Sequence, residues 1–221
     1  MQAKINSVFE SIQGEGKYAG ERQIFIRFFG CNLNCAFCDT KLKYYRFYTL
    51  SELKKRVERF DEIKFISLTG GEPLCQTEFL KFFLPLLKKD KFKIYLETNG
   101  TLYENLKKII EFVDIISMDL KLESSTRMKK SFWDEHQNFF EIARRKEIFF
   151  KTVITLSTSF KDIKKLADFV FPKKKILYLQ PDTNTLDKNL IKRCLKFQKY
   201  LLDRKIEVRI LPQVHKFLKI R

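Results

Sequence analysis

Three of the chain's five cysteines crowd into one stretch, Gly30-Cys-Asn-Leu-Asn-Cys-Ala-Phe-Cys38, where Cys31, Cys35 and Cys38 follow a C-x3-C-x2-C spacing. An odd cysteine count with one tight cluster is not a disulfide framework, and clustered thiols of this kind are metal ligands or redox groups. The spacing lets one loop place three thiolates around a single inorganic cluster. An iron–sulfur cubane takes one protein ligand per iron, so three cysteines leave a fourth iron open to a substrate or cofactor. The alternative is a structural zinc, which needs four closed ligands; the only histidines, His136 and His215, lie far away in sequence, and Asp39 is a poor fourth ligand. The cluster is the better reading. Cys194, in the apolar stripe of a helix, and Cys75, beside a turn, read as packing residues.

Other residues of chemical interest stand nearby. Leu68-Thr-Gly-Gly-Glu-Pro73 ends an apolar run with paired glycines and a carboxylate. Alone it reads as an ordinary turn. Combined with the cysteine loop, it reads as exposed main chain that can bind an amino acid moiety, with Glu72 facing the ammonium group. Arg27 interrupts an apolar strand, where a charge is costly unless paired, so it is assigned to a ligand. Gln13 and Glu15 flank Gly14 in a segment that by itself reads as a surface turn. Of the two histidines, His215 is taken as functional, since His136 follows Trp133-Asp134-Glu135 at a helix start.

These groups need a frame. Apolar runs at residues 23–29, 63–68, 92–97, 113–118, 148–154, 176–180 and 206–211 read as strands, each bounded by polar or glycine-containing turns. Helical spacing lies between them, over residues 78–89, 103–112, 134–145, 161–171 and 187–203. Thr49 and Glu52 form a capping box opening another helix that carries Leu53 and Val57. Alternating strands and helices mean a parallel α/β sheet with outer helices. At 221 residues the chain is short for a closed eight-stranded barrel of ~250, which implies an incomplete (partial) β/α barrel. The unusual polar residues all follow the carboxyl ends of strands, the rim where such folds place their chemistry. No repeat or linker divides residues 1–221, which read as one domain.

Composition raises a rival reading. With 44 Lys plus Arg against 27 Asp plus Glu the formal charge is +17, which suggests nucleic acid as a partner. The 23 Phe and 44% hydrophobic residues exclude a disordered basic tail. The lysines, 32 of them, are scattered in pairs and triplets such as Lys88-Lys89 and Lys173 to Lys175, a solvated surface more than a groove. Neither a membrane span nor a secretory signal is legible, so a cytoplasmic protein without nucleic-acid or membrane partners is expected. A zinc-bearing RNA-binding protein is the alternative.

Taken together, the motifs resemble the radical S-adenosylmethionine enzymes, whose hallmark is C-x3-C-x2-C followed one strand later by a Gly-Gly-Glu-Pro-type loop. Ser11-Ile-Gln-Gly-Glu-Gly16, Phe25-Ile-Arg-Phe-Phe-Gly-Cys-Asn-Leu, Cys38-Asp-Thr40 and the terminal Leu211-Pro-Gln-Val-His-Lys216 are similar to the 7-carboxy-7-deazaguanine synthase family, which serves the route to 7-deazapurine nucleosides such as queuosine. The resemblance spans the whole chain.

It implies that Cys31, Cys35 and Cys38 hold a [4Fe–4S] cluster whose open iron binds S-adenosylmethionine. The resulting 5′-deoxyadenosyl radical abstracts hydrogen from 6-carboxy-5,6,7,8-tetrahydropterin, and ring contraction ends with loss of ammonia. The hydrogen returns, so the cofactor is regenerated. S-adenosylmethionine contacts fall on Gly71, Glu72, Asp119, Leu120, Lys121, Gln180, Pro181, Asp182 and Thr183, although relatives often carry Ser-Pro-Lys where this chain has Asp119-Leu-Lys121. Substrate contacts fall on Ile12, Gln13, Gly14, Glu15, Arg27, Thr69, His215 and the terminal Arg221. Thr40 contacts a Mg²⁺ that also meets the substrate carboxylate. Arg27 offers a planar fork to that carboxylate, and Glu15 accepts from the aminopyrimidine edge. An electron donor such as flavodoxin or ferredoxin and a homodimer are further implications. Another radical enzyme, such as a glycyl-radical activase, shares the cysteine loop.

Overall fold

Seven apolar runs pair edge to edge as parallel strands in the computed structural model, which describes residues 1–40, 42–60 and 62–220. The strands are β1 (Gln2–Ile12), β2 (Arg22–Phe28), β3 (Arg46–Thr49), β4 (Phe65–Gly70), β5 (Lys93–Thr98), β6 (Ile115–Asp119), β7 (Glu147–Ile154), β8 (Leu177–Pro181) and β9 (Val208–Ile210). Among the described residues they form one sheet, ordered β3-β1-β2-β4-β5-β6-β7-β8-β9. From β2 to β9 each neighbouring pair is parallel.

One edge of this parallel sheet is antiparallel. β1 pairs antiparallel with both β2 and β3, and neither β1 nor β3 was legible as a strand. The register of β1 against β2 slips between Ile5 and Ser7, a bulge that breaks the alternation of its buried side chains. β3 is a four-residue edge strand with no fully buried residue, so it carries no apolar pattern.

The helices are α1 (Leu50–Val57), α2 (Thr77–Lys89), α3 (Tyr103–Lys107), α4 (Glu123–Thr126), α5 (Trp133–Ala143), α6 (Phe160–Val170), α7 (Lys188–Asp203) and α8 (Val214–Phe217). The Thr49–Glu52 capping box is formed in both directions, so α1 starts where its sequence signal put it. The helix expected over 103–112 is instead α3 followed by a 3-10 turn at Ile110–Phe112. Burial on the helix side of the sheet builds the main core, which includes Cys194 on α7. Cys75 differs from expectation: it is exposed, because it lies in the 3-10 turn Pro73–Gln76 that leads into α2.

On the opposite, concave face an aromatic floor forms from Tyr95, Ile115, Phe149 and Tyr178. The β1–β2 connection folds down onto it. Tyr18 stands edge-on to Tyr95 with ring centroids 5.7 Å apart, and its hydroxyl donates to Glu147 at 2.8 Å. Gly16, at φ +63°, lies where a Cβ would meet the Phe149 ring at 2.3 Å, so only glycine lets the connection settle this deep. Among the described residues no helix is long and apolar enough to cross a membrane.

His136, on α5, is fully buried among Phe132, Trp133 and Phe169. Its Nε2 meets the Asn99 carbonyl at 3.2 Å, while Nδ1 has no hydrogen-bond partner among the described residues. Burial lowers its pKa to about 4. The neutral ring is therefore the folded form, and its stabilisation is present above pH 6.5 and lost as pH falls towards 4. The shift corresponds to about 3 kcal/mol. His136→Gln, which keeps a donor for Asn99 without the basic nitrogen, is expected to flatten the fall in melting temperature between pH 6.5 and 4. An unchanged acid limb would place the titrating group elsewhere.

Candidate active site

Strand alternation decides what the concave face presents above its aromatic floor. Positions two apart point the same way, so the inward set is Thr69 on β4, Glu97 on β5, Asp119 on β6, Lys151 and Val153 on β7 and Gln180 on β8. These residues line one cavity of about 430 Å³ together with Arg27, the loop after β1 and the cysteine loop after β2. Cys31, Cys35 and Cys38 all face it.

The cysteine loop is held by the Gly-Gly-Glu-Pro turn. Gly71 N–H donates to the Phe28 carbonyl at 2.9 Å and Glu72 N–H to the Gly30 carbonyl at 2.8 Å. A Cβ on Gly71 would fall 1.9 Å from that Gly30 oxygen, so the close approach requires glycine. From the other side the Ala36 N–H bonds the Thr126 carbonyl of α4 at 2.9 Å. Asn99 Nδ2 lies 3.9 Å from Cys31 Sγ and donates to Asn32 Oδ1 at 2.8 Å. Burial pushes the Cys31 and Cys35 thiols up, so both keep their protons near neutrality until a metal displaces them.

The Glu72 side chain does not line the cavity. Its carboxylate is 1% exposed and accepts from Thr98 Oγ1 at 2.9 Å, Asn99 N at 2.8 Å and Leu74 N at 3.2 Å. It fixes the β5 end against the cysteine loop. Burial raises its carboxyl to about 7 against those donors. Leu120, Pro181 and Thr183 are also absent from the lining. Leu120 packs into the helix-side core, Pro181 is buried at the end of β8, and Thr183 donates to Gln213 Oε1 at 2.7 Å.

Arg27 reaches the cavity from β2 beside Phe9, its guanidinium carbon 5.4 Å from the ring centroid. Its Nε is buried and has no hydrogen-bond partner among the described residues. A buried, unpaired guanidinium N–H is costly and calls for an acceptor. Glu97 is already committed: Gln13 Nε2 and Ser67 Oγ donate to Oε1 at 2.9 and 3.1 Å, and Thr69 Oγ1 to Oε2 at 2.9 Å. Arg27 is thus open to an incoming anion.

The far wall is a chain of charges. Lys121 Nζ lies 2.7 Å from Asp119, Lys151 bonds Glu15, and Lys151 stands 3.7 Å from Asp119. Burial alone would push Glu15 and Asp119 up, but Lys151 with Gln213 holds the Glu15 carboxyl below its ordinary range, and Lys121 with Lys151 does the same for Asp119. The C-terminal segment closes the mouth. Val214 N–H donates to the Gly14 carbonyl at 2.9 Å, Gln213 Nε2 bridges Glu15 and Asp39 at 2.7 and 2.9 Å, and Lys216 pairs with Asp39 at 2.6 Å. Gly14 packs so tightly that a Cβ would lie 2.0 Å from His215 Nδ1.

Of the expected residues, Ile12, Gln13, Gly14, Glu15, Arg27, Thr40, Thr69, Gly71, Asp119, Lys121, Gln180, Asp182 and His215 line this cavity. Arg221 lies outside the described residues. Sequence reading missed Glu97 and Lys151, charges at inward strand positions, the same signal that singled out Arg27. Gln213 is legible only as part of the terminal Leu211–Lys216 motif, without a site role of its own.

The residues fit an iron–sulfur cluster better than zinc. Cys31, Cys35 and Cys38 line one cavity from a single loop, three thiols without a fourth cysteine or a histidine beside them in sequence, which suits a cluster with one iron per ligand and one iron left open rather than a closed four-ligand site. For the cofactor, Asp119 Oδ1 is buried on the cavity wall without a hydrogen-bond partner among the described residues, and can accept from a ligand N–H or O–H.

Residues 25–170 match the Radical SAM superfamily. The chain is 34% identical to the 7-carboxy-7-deazaguanine synthase of Geobacter sulfurreducens, with 98% of this chain and 97% of that protein aligned. It is 36% identical to the protein of the same name from Archaeoglobus fulgidus, over the full length of both. Among solved structures, QueE from Escherichia coli superposes with a TM-score of 0.67 at 22% identity, covering 95% of this chain and 94% of that one. Archaeal TYW1 superposes with a TM-score of 0.57 at 17% identity, covering 82% and 72%.

Proposed function

We propose a reaction for this chain from the premise that it belongs to the radical S-adenosylmethionine superfamily and, within it, to the 7-carboxy-7-deazaguanine synthases. It contracts the ring of 6-carboxy-5,6,7,8-tetrahydropterin to 7-carboxy-7-deazaguanine with release of ammonia, in 7-deazapurine and queuosine biosynthesis. One observation carries the substrate assignment: a cavity walled by the three thiols also holds a guanidinium whose buried Nε lacks an acceptor. A carboxylated heterocycle supplies that acceptor.

A [4Fe–4S] cluster on Cys31, Cys35 and Cys38 with S-adenosylmethionine supplies the one-electron, hydrogen-abstracting chemistry. The protein's work is to hold and shield. Arg27 pairs with the substrate carboxylate, and Thr40 on the cavity wall would hold a Mg²⁺ that offsets negative charge there. Glu15, kept ionised by Lys151, retains free lone pairs for the aminopyrimidine N–H groups. Gln13, Thr69 and His215 complete the substrate side; Gly71, Asp119, Lys121, Gln180 and Asp182 form the cofactor side. The C-terminal strap from Gln213 to Lys216 limits water, and a strapped mouth suits a small molecule more than the polypeptide loop an activase must admit.

The remaining assignments are of the same standing. Residues 1–221 act as one domain around a single sheet, and the five unpaired cysteines suit a cytoplasmic location. A flavodoxin- or ferredoxin-type protein would supply electrons at the exposed side of the cysteine loop, where Cys31 reaches the surface. The open edge strand β3, with Phe47 and neighbouring Tyr44 exposed, supports a homodimer.

Anaerobically reconstituted, dithionite-reduced protein given the carboxylated tetrahydropterin, S-adenosylmethionine and Mg²⁺ is expected to form the deazapurine carboxylate and ammonia in equal amounts by mass spectrometry and ammonia assay. Omitting Mg²⁺ is expected to slow turnover. Fully loaded protein that yields neither product defeats the assignment.

A further inference from the structure

β7 carries a lysine where an apolar side chain would suit the strand. Phe150, Thr152 and Ile154 turn towards the helices, while Phe149, Lys151 and Val153 turn inward. Phe149 joins the floor and Val153 the cavity wall, and Lys151 between them is 8% exposed. An ammonium at that depth is costly unless paired. Its two partners come from unrelated parts of the chain. Glu15 Oε2, on the loop after β1, accepts from Nζ, and Asp119, its register partner on β6, stands 3.7 Å away. Glu97 on β5 and Lys121 after β6 are the other charged groups near it.

The two carboxylates face different ligands in the reading above. Glu15 belongs to the substrate side and Asp119, with its unpartnered Oδ1, to the cofactor side. One ammonium therefore ties together the two halves of the cavity. We propose that Lys151 is a positioning residue that sets the spacing between the substrate bound at Glu15 and the cofactor bound at Asp119, so that hydrogen abstraction is directed to the substrate. This rests on the functional reading above. Without Lys151 the two buried carboxylates lose their shared counter-ion and move apart. Cofactor cleavage then outruns substrate turnover: one electron from dithionite breaks the carbon–sulfur bond, methionine leaves, and the adenosyl fragment departs as 5′-deoxyadenosine after taking hydrogen from buffer or protein.

The test compares wild type with Lys151→Met, which keeps length without charge, and with Lys151→Arg. In Lys151→Met, 5′-deoxyadenosine released per deazapurine formed is expected to rise at least tenfold, with iron and sulfide content unchanged, and Lys151→Arg is expected to recover most of the coupling. A second readout needs no cluster. Calorimetric titration of cluster-free protein with oxidised 6-carboxypterin should show affinity about tenfold weaker in Lys151→Met. In a Glu15→Gln background the same change should add less than twofold, because coupled residues do not act independently. An unchanged product ratio and pterin affinity in Lys151→Met, or losses that multiply in the double variant, overturn the proposal. If Lys151→Met fails to fold, the Glu15→Gln/Lys151→Met protein, which leaves one fewer stranded charge, carries the comparison with Glu15→Gln alone. A wild type that makes no deazapurine would defeat the functional reading, while the pterin titration would still judge Lys151.

Discussion

Arg27→Ala is expected to lower kcat/KM for the carboxylated pterin by roughly 10²–10³-fold, the equivalent of truncating one partner of a buried, hydrogen-bonded charge pair, while iron and sulfide content stay at wild-type level. The expectation follows from where the side chain is and what it lacks. Arg27 leaves β2 through an otherwise apolar strand, rests against Phe9 and holds its Nε away from any protein acceptor. Nothing among its described contacts reaches the cysteine loop, so the loss should fall on substrate and not on the cluster. Arg27→Lys is expected to recover little, because an ammonium cannot reproduce the planar fork that a carboxylate accepts from two N–H groups. Steady-state kinetics with dithionite as reductant, beside iron and sulfide assays and the cluster's visible absorbance, separate the outcomes. A variant that loses its cluster as well would make Arg27 a structural residue, and one with unchanged kcat/KM would remove the carboxylate from this end of the cavity.

The fold was legible where apolar runs are continuous and failed where a strand's alternation is broken or it has no buried residue. β2 and β4 to β8 are buried by neighbours or helices and announce themselves as Val, Ile, Leu and Phe runs, while the edge strand β9 has only Val208 buried. β1 hides behind its bulge, and β3 behind four half-exposed or exposed residues. At the site the same logic holds. The thiol spacing and the Gly-Gly-Glu-Pro turn are local signals and could be read directly. Glu72 misled, since a carboxylate beside paired glycines looks ligand-facing until β5 is folded against it and its oxygens meet Thr98 and Asn99. Gln213 is legible as part of the terminal motif but not in its role, because that role comes from two carboxylates brought to it from residues 198 and 174 positions away. No sequence pattern encodes such a meeting.

Gly71→Ala tests the other half of the site, with an effect on cluster assembly instead of substrate. A Cβ at Gly71 would stand 1.9 Å from the Gly30 oxygen, 2.5 Å from its carbonyl carbon and 3.2 Å from Cys31 N. These are backbone atoms, so no side chain can swing aside, and the Gly30 oxygen is already held by Glu72 N–H at 2.8 Å. The cysteine loop must move, taking Cys31 with it. Overpacking of this kind costs about 1–3 kcal/mol or more, and here the strain falls on a ligand loop. Reconstituted Gly71→Ala is expected to hold less than half the iron of wild type and to melt several degrees lower. Gly20→Ala is the matched control: its φ of +95° strains an alanine, yet nothing lies within 4 Å of the added carbon. It should lose about 1–2 kcal/mol and still load a full cluster. If Gly71→Ala also loads fully but binds S-adenosylmethionine weakly in equilibrium dialysis, the glycine serves the cofactor's approach alone. Loss of both would mean that the turn shapes the cysteine loop first and the cofactor surface through it.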